Sequence, residues 1–166
     1  MLKVVIVDDE KMICSLISQL LDWEELGAKI VGMAYTGTEA LEMIQEQRPD
    51  IIISDIRMPG YDGLELIKRT KEAGIESEFI MISGFKQFEY AQNAMKYGVK
   101  YYLLKPIEED KLTEIIYVFL TIFLYLLKCP QSLILSALRA FCFCGKPHIS
   151  RSIFLYFRYQ TWLKSW

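Results

Sequence analysis

Four continuous apolar runs, Val4-Val5-Ile6-Val7, Ile51-Ile52-Ile53, Phe79-Ile80-Met81-Ile82 and Tyr101-Tyr102-Leu103-Leu104, each stop on a reactive polar residue. The residues at these stops are Asp8 with Asp9, Asp55, Ser83 and Lys105. Unbroken apolar runs of this length read as strands buried on both faces, and strands alternating with helical patterns read as a parallel sheet covered on both sides. Ligands of such sheets bind beyond the carboxyl ends of the strands. Three carboxylates, a hydroxyl and an ammonium are therefore expected at one sheet edge, a set suited to a divalent cation and a phosphoryl group.

The alternation continues to about residue 120. Leu2–Val7 is the first strand, and Met12, Ile13, Leu16, Ile17, Leu20 and Leu21 then recur at the spacing of one helical stripe. Lys29–Ala34 is the second strand. Thr36 and Glu39 have capping-box spacing before a helix that Arg48-Pro49 ends, and Ile51–Ser54 is the third strand. Pro59-Gly60 makes a loop, Leu64, Leu66 and Ile67 give a third helix, and Gly74 closes it. Phe79–Ile82 forms strand four, Phe88–Tyr97 a fourth helix and Tyr101–Leu104 strand five. A fifth helix begins after Pro106, with Leu112, Ile115 and Ile116 facing inward.

The acids have a physical consequence of their own. Asp8 and Asp9 beside Asp55 repel one another unless something positive sits between them. Mg2+ is the natural candidate, because it prefers hard oxygen ligands and is commonly held by one or two carboxylates plus phosphate. Lys105 can meet a phosphoryl oxygen as a point charge, and Ser83 can donate a hydrogen bond to another. An aspartate can itself accept the phosphoryl group as an acyl phosphate. Taken singly, Asp8-Asp9-Glu10 reads as a helix start, Ser83-Gly84 as a turn and Lys105-Pro106 as a strand stop. Only their convergence at one edge, in this order, makes a site.

Asp8-Asp9-Glu10, the segment Asp55-Ile56-Arg57-Met58-Pro59-Gly60-Tyr61-Asp62-Gly63, Ser83-Gly84 and Lys105-Pro106 together resemble the response-regulator receiver domain of bacterial two-component signalling. The resemblance covers Met1 to Leu112. It implies a flavodoxin-like, doubly wound α/β fold, (βα)5, whose five-stranded parallel sheet has the order 2-1-3-4-5. It also implies Asp55 as phosphoacceptor, Asp9 as a direct Mg2+ ligand, Asp8 as a ligand mainly through water, and the Arg57 carbonyl completing the protein's share of the shell. Lys105 would bind the phosphoryl group, the Lys105-Pro106 peptide would be cis, Ser83 would move toward the phosphoryl oxygen and Tyr102 would be the rotating aromatic of the switch. The implied partners are a sensor histidine kinase, whose phosphohistidine is the donor, and a second copy docking through helix four, strand five and helix five. The chain would act as a switch that assists its own phosphorylation and dephosphorylation rather than as an enzyme. Ser83-Gly84-Phe85, Phe88-Glu89-Tyr90-Ala91 and Tyr101 to Pro106 resemble most the receivers joined to AraC-type DNA-binding domains. A role in transcription is thus implied, with DNA contacted only through an effector missing from this chain.

Other classes fail on identifiable residues. A flavin binder needs a Gly/Ser/Thr-rich loop after the first strand, where this chain is acidic. The P-loop pattern is absent. An aspartyl-phosphate hydrolase is the nearest enzymatic rival, but Asp8-Asp9-Glu10 lacks that family's nucleophile-x-acid spacing. A single-domain or membrane-attached receiver acting by protein contact is the alternative to a transcription factor.

The expected boundary follows Glu114, giving a receiver over 1–114, with helix five free to run further, and an atypical tail over 115–166. All 21 acidic residues precede the boundary, whereas basic residues continue beyond it as Lys128, Arg139, Lys146, Arg151, Arg158 and Lys164. At roughly one acidic residue in eight, a stretch of about fifty without any has odds on the order of one in a thousand. Ile115–Leu127 is apolar apart from Thr121 but short of the roughly twenty residues that span a bilayer. No effector pattern is visible in the tail, and loss of the reading frame near Thr113–Ile115 is the favoured account of it. Cys129, Cys142, Cys144 and His148 lack the usual zinc spacing. Acids arrive too early for a signal peptide, and Cys14 is the sole cysteine before the tail, so a cytoplasmic location is expected.

Overall fold

Residues 1–84, 96–99 and 101–126 are described by the computed structural model, with side chains up to residue 120. Five strands, β1 (Leu2–Val7), β2 (Ala28–Ala34), β3 (Ile51–Asp55), β4 (Glu78–Ser83) and β5 (Tyr101–Leu104), pair in parallel in the order β2-β1-β3-β4-β5. Helices α1 (Lys11–Leu20), α2 (Gly37–Gln47) and α3 (Gly63–Glu72) connect the first four strands, and a closing helix occupies Glu109–Leu126. The fold is the flavodoxin-like parallel α/β architecture. Most of the expected fourth helix, Phe88–Tyr97, lies outside the described residues.

The chain divides into two units, Met1–Thr113 and Glu114–Trp166. The sheet belongs to the first. Of the second, only the run of the closing helix to Leu126 is described, so the tail expected over 115–166 lies mostly outside the described residues. No described helix is long and apolar enough to cross a membrane.

Burial explains why the apolar runs become strands. Val4, Val5, Ile6, Ile52, Ile53, Ile80 and Met81 are completely buried, and side chains of this size stabilise by roughly 1.5–3 kcal/mol each when removed from water. Alternate residues serve opposite faces: Val5, Val7, Ile52, Phe79 and Met81 join Ala40, Ile44, Leu66 and Ile67 in one core beneath α2 and α3. On α1, Cys14 and Ile17 are buried, and the helix lies against β1.

Helix ends are fixed by local chemistry. Thr36 Oγ1 accepts the Glu39 N–H at 3.2 Å, while the Glu39 carboxylate accepts the N–H of Tyr35 at 2.8 Å. The capping pair thus reaches one residue further back than a regular capping box. Arg48 closes α2 with a left-handed φ of 49°, its N–H bonded to the Ile44 carbonyl at 3.0 Å. Asp62 caps α3 by accepting the Glu65 N–H at 2.8 Å.

The register lines up the strand ends. Val7 pairs with Ala34 on one side and Ser54 on the other, Asp55 with Ile82, and Ser83 with Leu104. Asp8 therefore follows β1 at the level of Asp55, while Ser83 lies one step and Lys105 two steps further along their strands. This register, rather than proximity in sequence, assembles the site.

Candidate functional site at the carboxyl edge of the sheet

Lys105 is the centre of the cluster. Its Nζ lies 2.8 Å from Asp8 Oδ2, 3.0 Å from Asp55 Oδ1 and 3.4 Å from Glu10 Oε1. The peptide bond that follows, Lys105-Pro106, is cis, and the Lys105 N–H donates to the Ser83 carbonyl at 2.8 Å. The loop after β3 holds the other oxygen of Asp55: the Arg57 N–H donates to Oδ2 at 2.7 Å. Asp8 is fixed likewise, its Oδ1 accepting the Glu10 N–H at 3.0 Å. Each acid thus has one oxygen tied to backbone and one turned to Lys105.

The β3–α3 loop is closely packed. A Cβ on Gly63 would come within 2.5 Å of the Asp55 carbonyl oxygen and of Met81 Cε, so only glycine lets α3 begin directly beneath the Asp55 backbone. Gly63 N–H donates to the Ile56 carbonyl at 2.8 Å, and Gly37 N–H to the Pro59 carbonyl at 3.0 Å, which anchors the loop at both ends. Arg69 stacks over the Tyr61 ring at 4.1 Å while its Nε bonds Glu65 at 2.8 Å.

Burial and charge oppose each other here. Asp8 is 1% exposed and Asp55 7%, so neither carboxylate is well hydrated. Burial pushes the Asp8 carboxyl above its usual range, and the contact with Lys105 only partly offsets this. For Lys105, burial alone would lower the pKa, but the bonds to Asp8 and Asp55 outweigh it and hold the ammonium above the usual lysine range. The direction that stands for the cluster is a permanently charged Lys105 between two costly carboxylates. Asp8 Oδ2 is buried without a hydrogen bond of regular geometry, its close neighbour being the Lys105 ammonium. Burial, with the nearby Asp8 charge, also raises the Cys14 thiol to about 11.

Of the residues singled out in the sequence, the structure brings together Asp8, Asp55 and Lys105, with Ser83 buried on the adjoining strand. Asp9 is exposed, and among the described residues no group of three or more acidic, His or Cys side chains converges as a metal-binding cluster. Tyr102 is half-buried on β5 and packs against the core that includes Met81 and Val99. The face expected to join helix four, strand five and helix five lies partly outside the described residues. Glu10 is an ion-pair partner of Lys105 that the motif alone did not assign. The only sequence signal for it is its place directly after Asp8-Asp9.

The oxygen set fits a hard divalent ion. Asp8 Oδ2 and Asp55 Oδ1 both converge on a single positive centre, the Lys105 ammonium, and Asp8 Oδ2 is buried with no other partner among the described residues.

Comparison with known proteins identifies the family. The family described as the response regulator receiver domain matches residues 4–117. A transcriptional regulatory protein of Bacillus subtilis, YesN, is 48% identical over 112 residues, which are 68% of this chain and 30% of that protein. The receiver domain of the response regulator AraT from Geobacillus stearothermophilus is 38% identical with a TM-score of 0.67, covering 71% of this chain and 92% of that one. A chain of the CheX–CheY–BeF3–Mg2+ complex from Borrelia burgdorferi is 27% identical with a TM-score of 0.65, covering 71% and 89%. The chain spans less than half the length of the curated relatives it matches.

Proposed function

Because this chain belongs to the response regulator receiver domain family, we propose that Asp55 is its phosphoacceptor and that a sensor kinase's phosphohistidine is the donor. The observation that carries this reading is the Lys105 ammonium held 3.0 Å from Asp55 and 2.8 Å from Asp8 at the strand ends. In the transfer, a carboxylate oxygen of Asp55 forms a bond to phosphorus as the phosphorus–nitrogen bond to the donor imidazole breaks. The bonding pair returns to the imidazole nitrogen, and the product is an acyl phosphate.

The chain's own groups position this exchange. The Arg57 N–H fixes the carboxylate plane through Oδ2, Lys105 offsets the charge arriving with the phosphoryl group, and Ser83 donates a hydrogen bond to a phosphoryl oxygen. Mg2+, held by Asp8, Asp9, Asp55 and the Arg57 carbonyl, would supply the remaining positive charge on the phosphoryl oxygens. The presence of BeF3 and Mg2+ in the similar Borrelia complex supports the same ligand chemistry. The chain is itself modified and regenerated, so it is a phosphoacceptor switch that assists its own turnover rather than an enzyme acting on a separate substrate.

We read Met1–Glu114 as the receiver and 115–166 as outside the family pattern. YesN is described as a transcriptional regulator, and this chain matches under a third of it. That relation supports a role in transcription regulation; on our reading the chain acts in the cytoplasm, with Ser83 and Tyr102 relaying phosphorylation to the face around β5. The test is chemical. Borohydride reduction after incubation with acetyl phosphate and Mg2+ converts a phosphorylated aspartate to homoserine, and peptide mapping must place that conversion at Asp55. Conversion elsewhere, or none, rejects the assignment.

A further inference from the structure

Glu10 is 64% exposed at the rim of the site, yet its Oε1 lies 3.4 Å from the Lys105 ammonium that bridges Asp8 and Asp55. Lys105 stands between the two carboxylates that the reading above gives to Mg2+. A second cation at those oxygens competes with the ammonium, because two positive charges cannot share one pair of acids without strong repulsion. The ammonium must then leave at least one carboxylate, and the sole other acid in contact with it among the described residues is Glu10. Glu10 is suited to this, since its side chain is exposed to solvent while its backbone N–H is anchored to Asp8 Oδ1 at 3.0 Å.

We propose that Glu10 is a positioning residue that receives the Lys105 ammonium when a divalent cation takes the Asp8–Asp55 pair, and so sets how readily that pair exchanges its internal counter-ion for metal. The inference rests on the metal reading given above. Glu10 contacts Lys105 loosely while the lysine bridges the acids and fully once it is displaced. Its carboxylate therefore stabilises the metal-bound state more than the free one. The gain is that of a partly exposed ion pair, small but measurable.

The test is Mg2+ binding by calorimetric titration of the full chain at fixed ionic strength, without phosphoryl donor, for wild type, Glu10→Gln, Lys105→Met and the double variant. Glu10→Gln should weaken Mg2+ binding by about two- to five-fold. In the Lys105→Met background the same substitution should have no effect, because there is no ammonium to receive. An equal weakening in both backgrounds would mean that Glu10 attracts the ion directly, and overturns the proposal, as does full affinity in Glu10→Gln. A Glu10→Asp chain keeps the charge but shortens the reach by one methylene. It should bind as weakly as Glu10→Gln, and wild-type affinity in it overturns the proposal even where Lys105→Met does not fold. Absence of Mg2+ binding by the wild type is a separate outcome and removes the metal reading itself.

Discussion

Lys105 Nζ lies 3.0 Å from Asp55 Oδ1, so the carboxylate read as phosphoacceptor carries its counter-charge before any ligand arrives. The contact joins the end of β3 to the end of β5 across the intervening strand, and it depends on the register of both. Most of what can be measured about the site follows from this bridge.

Removing the bridge should be costly. Lys105→Met leaves Asp8 and Asp55 buried together with no cation, and breaking a buried pair in this way costs about 3–5 kcal/mol. Lys105 has a raised folded pKa, so its contribution is fully present below its ordinary value of 10.5 and is lost only at higher pH. Urea denaturation should show the gap between wild type and variant to be wide at neutral pH. It should narrow in acid, where the carboxyls become protonated and no longer need the ammonium.

Asp8 is predicted to cost stability at neutral pH. Its folded pKa is raised by burial, so the stability linked to its protonation is present below its ordinary value of 3.8 and is lost as pH rises through the folded value. Asp8→Asn avoids that loss. At neutral pH the variant should be more stable than wild type by about 0.5–2 kcal/mol, a trade of stability for function, and the difference should shrink toward pH 3.8. Chemical denaturation at several pH values decides the sign, and a less stable Asp8→Asn at neutral pH would show that the Lys105 pair outweighs desolvation.

Gly63→Ala tests the floor beneath Asp55. The added methyl meets the Asp55 carbonyl oxygen and Met81 Cε at 2.5 Å, and Ile56 Cα at 3.1 Å. Backbone cannot yield as a flexible side chain can, so a loss of about 1–3 kcal/mol is expected. The same shift should slow phosphorylation by acetyl phosphate, whereas Gly74→Ala, far from the site, should leave that rate unchanged.

Cys14 reports on the same region. Its thiol is buried, pushed to about 11, and its Sγ lies 3.5 Å from the Asp8 carbonyl. Alkylation mapped to the Cys14 peptide should be slow in the native chain near neutral pH and fast in urea.

How far these features were legible in the sequence depends on their range. β1 and β5 have the expected bounds because each is an apolar run ended abruptly by charge or by Lys105-Pro106. β3 and β4 run further than expected at their carboxyl ends, to Asp55 and Ser83, because those residues still pair with Ile82 and Leu104 while their side chains serve the site. A polar residue that ends a strand cannot be told from one that follows it by hydrophobic pattern alone. The Glu39 bond to Tyr35 in place of Thr36 is a difference of loop geometry that spacing does not encode.

Long-range contacts were legible only in part. The meeting of Asp8, Asp55 and Lys105 follows from strand order and common strand ends. Glu10 and Lys105 are separated by 95 positions, and no spacing rule pairs them. Asp9 differs from its neighbour: successive residues leaving a strand point to different sides, and Asp9 is exposed where Asp8 is buried.

The most direct test of the phosphoacceptor assignment is the intact mass of the chain after incubation with acetyl phosphate and Mg2+, for wild type and Asp55→Asn. The expected result is one added phosphoryl group on the wild type, absent when Mg2+ is chelated and absent from Asp55→Asn. An equal adduct on Asp55→Asn, or none on a folded wild type shown to bind Mg2+, would contradict the account.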